Sequence, residues 1–243
     1  MRWGAAVIAG LSLLLAACGP GASGGAAPER KAPAKADRPV SEIDAAFAAA
    51  FGSPPPAVRV VERQGWGETT LRYRPARLIP MEGVTVLVSE AQTDGCHGCY
   101  GALAVHYLRK QEGGWRRLGG WPEIVDGSSF GAPPTWTIRT DLFPSPAIES
   151  MGGGTWQGCT IVKSDFVELS PDRPVVRAQG VLTAFDYQPD EAESASIEGK
   201  ARPDAPGRSF AVDYQGAGGL TVVYRRNGDA YLPVGSQQEL PEC

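Results

Sequence analysis

The sequence predicts a mainly β protein, α+β at most: an antiparallel sheet or a sandwich- or barrel-like body with one short N-terminal helix. Three observations carry that prediction. From Ala57 onward, apolar and polar residues alternate in short runs, the period of a half-buried strand. Thirty-one glycines and 21 prolines cut the 243 residues into short elements separated by turns. No helical periodicity intervenes between one apolar run and the next, so antiparallel pairing is expected in place of strand–helix–strand crossovers.

The helix comes first. Ser41 is placed to cap it, with Glu42 in the first turn and Asp44 three residues after the cap in a capping-box-like arrangement. Ile43, Phe47 and Phe51 repeat every four residues beside Ala46 and Ala50, giving one apolar stripe suited to packing on a sheet. Gly52 ends the helix, and Pro54, Pro55 and Pro56 prevent its continuation.

Strand signals follow at Val58–Val61, Thr70–Arg74 and Val84–Val88, then at Leu103, Val105 and Tyr107. Glu112-Gly113-Gly114 should turn that last strand into Trp115–Leu118 as a hairpin. Trp136–Arg139 is a further short strand. Ala147–Glu149 and Gln157–Leu169 flank Gly152-Gly153-Gly154, which predicts a hairpin turning at the glycines. Val175–Tyr187 supplies one or two strands, and Phe210–Tyr214 precedes Leu220–Arg226. Asn227-Gly228, the strongest hairpin signal of the chain, returns it through Tyr231-Leu232.

Ahead of the helix the chain has a different character. Arg2 is followed by an apolar run from Val7 to Leu15, far short of the ~20 residues that span a bilayer. Leu15-Ala16-Ala17 then leads into Cys18. The layout is that of a secretory signal peptide, and it resembles the lipobox of bacterial lipoproteins. That resemblance covers residues 1–18. It implies removal of residues 1–17, diacylation of Cys18 and export, with Gly19 in place of the aspartate that would retain the protein in the inner membrane. The expected location is therefore the periplasmic face of the outer membrane, with the lipid as the membrane partner. Residues 18–39 carry the lipidated cysteine and a Gly/Ala/Pro-rich segment without apolar period, a disordered tether about 25 Å in reach. Residues 40–243 form one predominantly antiparallel β domain with its helix at 41–51.

The formal net charge is −4, and loss of Arg2 with the signal segment makes it −5. A mildly acidic chain without a basic run argues against nucleic acid and leaves a periplasmic protein as the candidate partner.

Cys96, Cys99, Cys159 and Cys243 are an even set, and in an oxidising compartment they should pair. Of the three connectivities, the spacing favours Cys96–Cys99 as a local bridge and Cys159–Cys243 as a long-range staple of the C-terminal segment. Cys96-His97-Gly98-Cys99 is the one constellation with chemistry in it. Its spacing resembles the thioredoxin-like active site, and a strand precedes it. Asp94-Gly95 stands where that family has an aromatic lead-in, however, and a period-2 pattern follows where it has a helix. A structural disulfide is the favoured reading, with a thiol–disulfide oxidoreductase as the alternative. A metal-binding module is the other alternative: His97 and His106 complete a Cys₂His₂ set on paper, without zinc-finger spacing.

Other catalytic patterns are missing. Gly127-Ser128-Ser129-Phe130-Gly131 does not have the spacing of a nucleophile elbow. Gly152-Gly153-Gly154 lacks the Lys-Ser/Thr of a phosphate loop. Trp115, Trp121, Trp136 and Trp156 are expected as large core pieces ahead of a sugar- or peptide-binding face. No catalytic residue, cofactor or metal is assigned, and the expected role is binding or structural.

Overall fold

A computed structural model describes residues 40–63, 67–188, 194–216, 218–235 and 240–243. The expected signal segment, Cys18 and the expected tether lie outside the described residues. The first element is helix α1 (Glu42–Phe51), formed by the local signals of its sequence. The Ser41 hydroxyl accepts the Asp44 N–H at 3.2 Å and donates to the Asp44 carboxylate at 2.7 Å. Gly52 takes a left-handed φ of 78° and returns its N–H to Ala48 O at 2.8 Å. Ala46, Phe47 and Ala50 are buried, as the stripe predicts.

Five strands then form the first sheet: β1 (Ala57–Arg63), β2 (Gly67–Met81), β3 (Val84–Thr93), β4 (Ala102–Gln111) and β5 (Gly114–Asp126). They lie side by side in chain order, every pair antiparallel. Eight more form the second sheet: β6 (Thr135–Arg139), β7 (Ala147–Trp156), β8 (Cys159–Leu169), β9 (Pro174–Tyr187), β10 (Ala195–Ala205), β11 (Ser209–Gln215), β12 (Thr221–Asn227) and β13 (Ala230–Val234). This sheet is again an antiparallel meander in chain order. The fold is mainly β with one short helix.

Three apolar layers hold these parts. Phe47 and Phe51 of α1 pack into the curl of the first sheet against Leu71, Tyr73, Leu87 and Leu108. On that sheet's other face, Val86, Val88, Leu103, Val105 and Tyr107 meet Ile148, Val167 and Leu169 of the second sheet. β3 and β4 are thus covered on both sides, which explains their nearly continuous burial. The remaining face of the second sheet encloses an aromatic core, where Phe210 stacks on Tyr224 (4.8 Å, 3°) and Phe143 lies edge-on to Tyr231. β13 comes back against β9 to close it. There the buried Arg177 donates to Asp229 O at 2.7 Å and to Glu168 at 2.6 Å, while Glu168 also accepts the Ser145 N–H.

The disulfides are Cys96–Cys99 and Cys159–Cys243, the pairing favoured by the spacing. The second bridge ties residues 240–243 to the start of β8, and Leu240 packs on the aromatic core.

Several elements depart from expectation. Gly152-Gly153-Gly154 is not a turn. It lies inside β7, and the hairpin turns three residues later at Gln157-Gly158, with φ of 50° and 80°. The cause is a close approach: a methyl at Gly152 would stand 2.5 Å from Gly127 O, and one at Gly154 2.8 Å from the Ser129 hydroxyl. β2 runs through Pro75 to Met81, well past Arg74, by way of a bulge between Pro75 and Arg77. The last hairpin turns at Gly228-Asp229, one residue later than Asn227-Gly228, because Asn227 pairs with Ala230. β9 is a single strand, and β10 has no counterpart among the expected strands.

Candidate functional site

The loop from Asp94 to Gly101 joins β3 to β4 and carries the Cys96–Cys99 bridge. Its backbone is fixed from both sides. Cys99 N–H returns to Cys96 O at 3.1 Å, Gly131 N–H reaches Cys99 O at 2.8 Å, and Gly101 N–H reaches Ala132 O at 3.0 Å. Arg72 holds Asp94 with two hydrogen bonds of 2.6 and 2.9 Å, which keep both charges in their ionised forms. Arg63 clamps the far end through Tyr100 O and Glu123. A methyl at Gly95 would stand 2.5 Å from Phe130 O, so loops 94–101 and 127–132 touch backbone to backbone there.

Side chains gather on the outside of this knot. His97 is exposed, with its ring edge-on to Phe130 at 4.6 Å and to Trp156 at 6.1 Å. Its Nε2 lies 3.1 Å from Thr155 O. A carbonyl can only accept, so Nε2 carries the proton in this contact. Phe130 is 60% exposed although it is large and apolar, and its φ of 60° is one that non-glycine residues rarely adopt. The indole of Trp156 folds back over Gly154, where a methyl would meet its ring at 2.6 Å.

Beside Trp156 opens a cleft of about 250 Å³. It is lined by the apolar Tyr100, Trp156 and Ile161, by the charged Asp126 and Lys163, and by Gly127, Gly152 and Gly153. The glycines matter here: in the β7–β8 ladder Gly152 is opposite Lys163 and Gly154 opposite Ile161, so these two side chains face no partner across the strand pair. Just below, burial raises the Asp165 carboxyl above its usual range, against the Gly180 N–H that binds it at 2.7 Å.

The residues singled out from the sequence separate into distinct places. Cys96, His97 and Cys99 sit together at the surface. His106 does not join them. It lies fully buried on β4 under α1, tilted against Phe51 at 4.5 Å, and Gly120 opposite leaves room for its ring. Neither of its nitrogens has a hydrogen-bond partner. Burial, with Arg117 and Arg59 nearby, pushes its pKa down to about 4. The Cys₂His₂ set is therefore not assembled, and both sulfurs are committed to their disulfide. No group of three or more metal-ligating side chains occurs among the described residues. The thioredoxin-like arrangement also lacks its helix, because β4 begins at Ala102, three residues after Cys99. Cys159, opposite Trp156 in the β7–β8 ladder, turns into the aromatic core and bonds Cys243 there, apart from the Cys96–Cys99 pair.

Of the four tryptophans weighed from sequence, Trp121 and Trp136 pack on the core between the sheets and Trp115 on the core under α1. Trp156 alone lines the cleft. Tyr100, Asp126, Phe130 and Lys163 carried no sequence signal of a site. The φ > 0 conformation of Phe130 and the cleft itself arise only from the meeting of loops distant in the chain.

No family model, no curated protein and no solved structure matches this chain.

Proposed function

We propose that this is a lipid-anchored protein of the cell envelope, held at the periplasmic face of the outer membrane through Cys18, and that it works by binding. The lipobox-like segment supports the location. The observation that carries the binding role is the surface built by His97, Phe130 and Trp156 beside the cleft. Exposed aromatic side chains normally lose rotamer freedom on binding. Here a disulfide and a set of backbone hydrogen bonds have already fixed their support, which lowers that cost. Rigid aromatic anchors beside a glycine-lined cleft suit recognition.

Two measurements test the reading. Cys18→Ser should move the protein from the detergent phase to the aqueous phase and block processing; wild-type protein found wholly in the aqueous phase refutes the anchor. A photoreactive phenylalanine analogue at position 130, irradiated in intact cells, should give a discrete adduct that Trp156→Ala abolishes. The same probe at Val234 should not. Equal, diffuse labelling from both positions refutes the binding surface.

The exposure of Cys96 favours a second reading, a thiol–disulfide enzyme acting through Cys96 and Cys99. It requires rapid reduction by glutathione and a Cys96 thiol titrating well below the free value. The binding reading expects no free thiol in the native protein and no insulin reduction.

A further inference from the structure

A second surface, on β2 and the edge of β6, adjoins the base of the disulfide loop through the Arg72–Asp94 pair and has a chemistry of its own. Residues of β2 alternate between the core under α1, reached by Leu71 and Tyr73, and the opposite face, which carries Arg72 and Arg74. That face is open here: Val58, opposite Arg72 in the ladder, is 58% exposed. Arg77, three residues past Arg74, would turn to the other side in a regular strand. The bulge between Pro75 and Arg77 inserts one residue and reverses the phase. Leu78 then packs with the core under α1 and Ile79 with the core between the sheets, so Arg77 shares the face of Arg72 and Arg74.

The charges on this face are not balanced. Arg72 is held by Asp94, and Glu90 accepts the indole N–H of Trp136 at 2.8 Å. Arg74 and Arg77 are exposed and make no ion pair or hydrogen bond with any described residue. Three guanidiniums, Arg72, Arg74 and Arg77, face two carboxylates, Asp94 and Glu90, so this face keeps a positive excess in a chain whose net charge is −4. Their spacing is defined as well. Arg74 pairs with Glu90 and Arg77 with Val88, two residues apart on β3, which places them about 7 Å apart along the strand direction. That is the repeat of alternate side chains on an extended chain.

A groove of about 590 Å³ runs beside Arg77; one wall is the uninterrupted stretch Pro133–Thr137, and Glu90, its carboxylate engaged by the Trp136 indole, lines the groove as well. Consecutive residues of a strand lining one wall present a backbone edge. β6 is the last strand of its sheet, paired with β7 only, and Thr135–Arg139 contains no proline to block a further partner. We infer that this groove receives an extended acidic segment of a partner protein, added as a strand to the free edge of β6, with carboxylates at alternate positions paired to Arg74 and Arg77.

The test uses the full chain in detergent and dansyl-labelled pentapeptide amides followed by anisotropy. The Glu-Val-Glu-Val-Glu peptide should bind, and the Lys-Val-Lys-Val-Lys peptide should not. Methylating alternate backbone nitrogens of the acidic peptide should weaken binding at least tenfold. The double substitution Arg74→Glu, Arg77→Glu should do the same without shifting the unfolding curve, since neither side chain is buried or partnered. Peptide should also slow hydrogen exchange at Thr135–Arg139. Absence of binding by the acidic peptide, equal binding after methylation, or equal binding by the double variant overturns the inference. So does complete displacement by millimolar inorganic phosphate, which would reduce the groove to a simple anion site. None of these outcomes depends on the surface around Phe130.

Discussion

His106 should give acid a route to weaken this protein that is separable from its carboxylates. Its imidazole is fully buried between β4 and α1, its two nitrogens lack partners, and Arg59 and Arg117 stand near enough to oppose a positive charge. In the unfolded chain such a histidine titrates near 6.5, and in the folded protein at about 4. Above pH 6.5 both states leave it neutral and it contributes nothing to the pH dependence. Between 6.5 and 4 the unfolded chain takes up a proton that the native protein refuses, so stability falls as pH falls. At about 1.4 kcal/mol per pH unit, the loss reaches roughly 3 kcal/mol by pH 4. Urea unfolding of wild type and His106→Leu at pH 7, 6, 5 and 4 isolates this contribution, because carboxylate effects are common to both. The gap between the two stabilities should swing by about 3 kcal/mol in favour of the variant over that range. Hydrogen exchange should show α1 loosening first, since Phe51 lies against the ring. Parallel pH profiles for the two proteins would refute the argument.

Other perturbations have equally definite outcomes. Replacing both Cys159 and Cys243 by serine opens a loop with a sequence separation of 84 and should lower stability by about 4–5 kcal/mol in the chain-entropy account, read from urea midpoints under non-reducing conditions. Glu168→Ala takes from the buried Arg177 guanidinium the nearer of its two carboxylates, leaving only the exposed Asp229 at 3.3 Å, and should cost about 3 kcal/mol, several times more than removing the exposed Glu42–Lys110 pair. Ser41→Ala removes the acceptor for the Asp44 N–H and should cost about 1 kcal/mol, with faster amide exchange confined to the first turn of α1.

What the sequence revealed followed the range of the forces involved. α1 was legible from end to end because its cap, stripe and stop lie within a dozen residues. The period-2 runs marked the strands whose two faces differ. β10 escaped because Ala195–Ala205 turns few residues inward, chiefly Ile197 and Ala201, and owes its place to β9 and β11 on either side. The triple glycine misled because a glycine run looks the same whether it turns the chain or admits another backbone. Which applies at Gly152 is decided by Gly127, far away in sequence. The cysteine pairing was legible from spacing. The cleft was not: Tyr100, Asp126 and the β7–β8 hairpin that carries Trp156 and Lys163 are distant in the chain, and only the packing of that hairpin beneath two loops makes them neighbours.

The Cys159–Cys243 bridge also has a mechanical meaning. A chain pulled from residue 40 and from residue 243 would transmit tension through the bond between these sulfurs, bypassing everything between them. The first sheet, α1, β6 and β7 would bear the load, while β8 to β13 would hang as a closed ring under no tension. Reduction would release about 300 Å of concealed contour length. A protease cut in any turn of that ring would likewise leave both pieces joined.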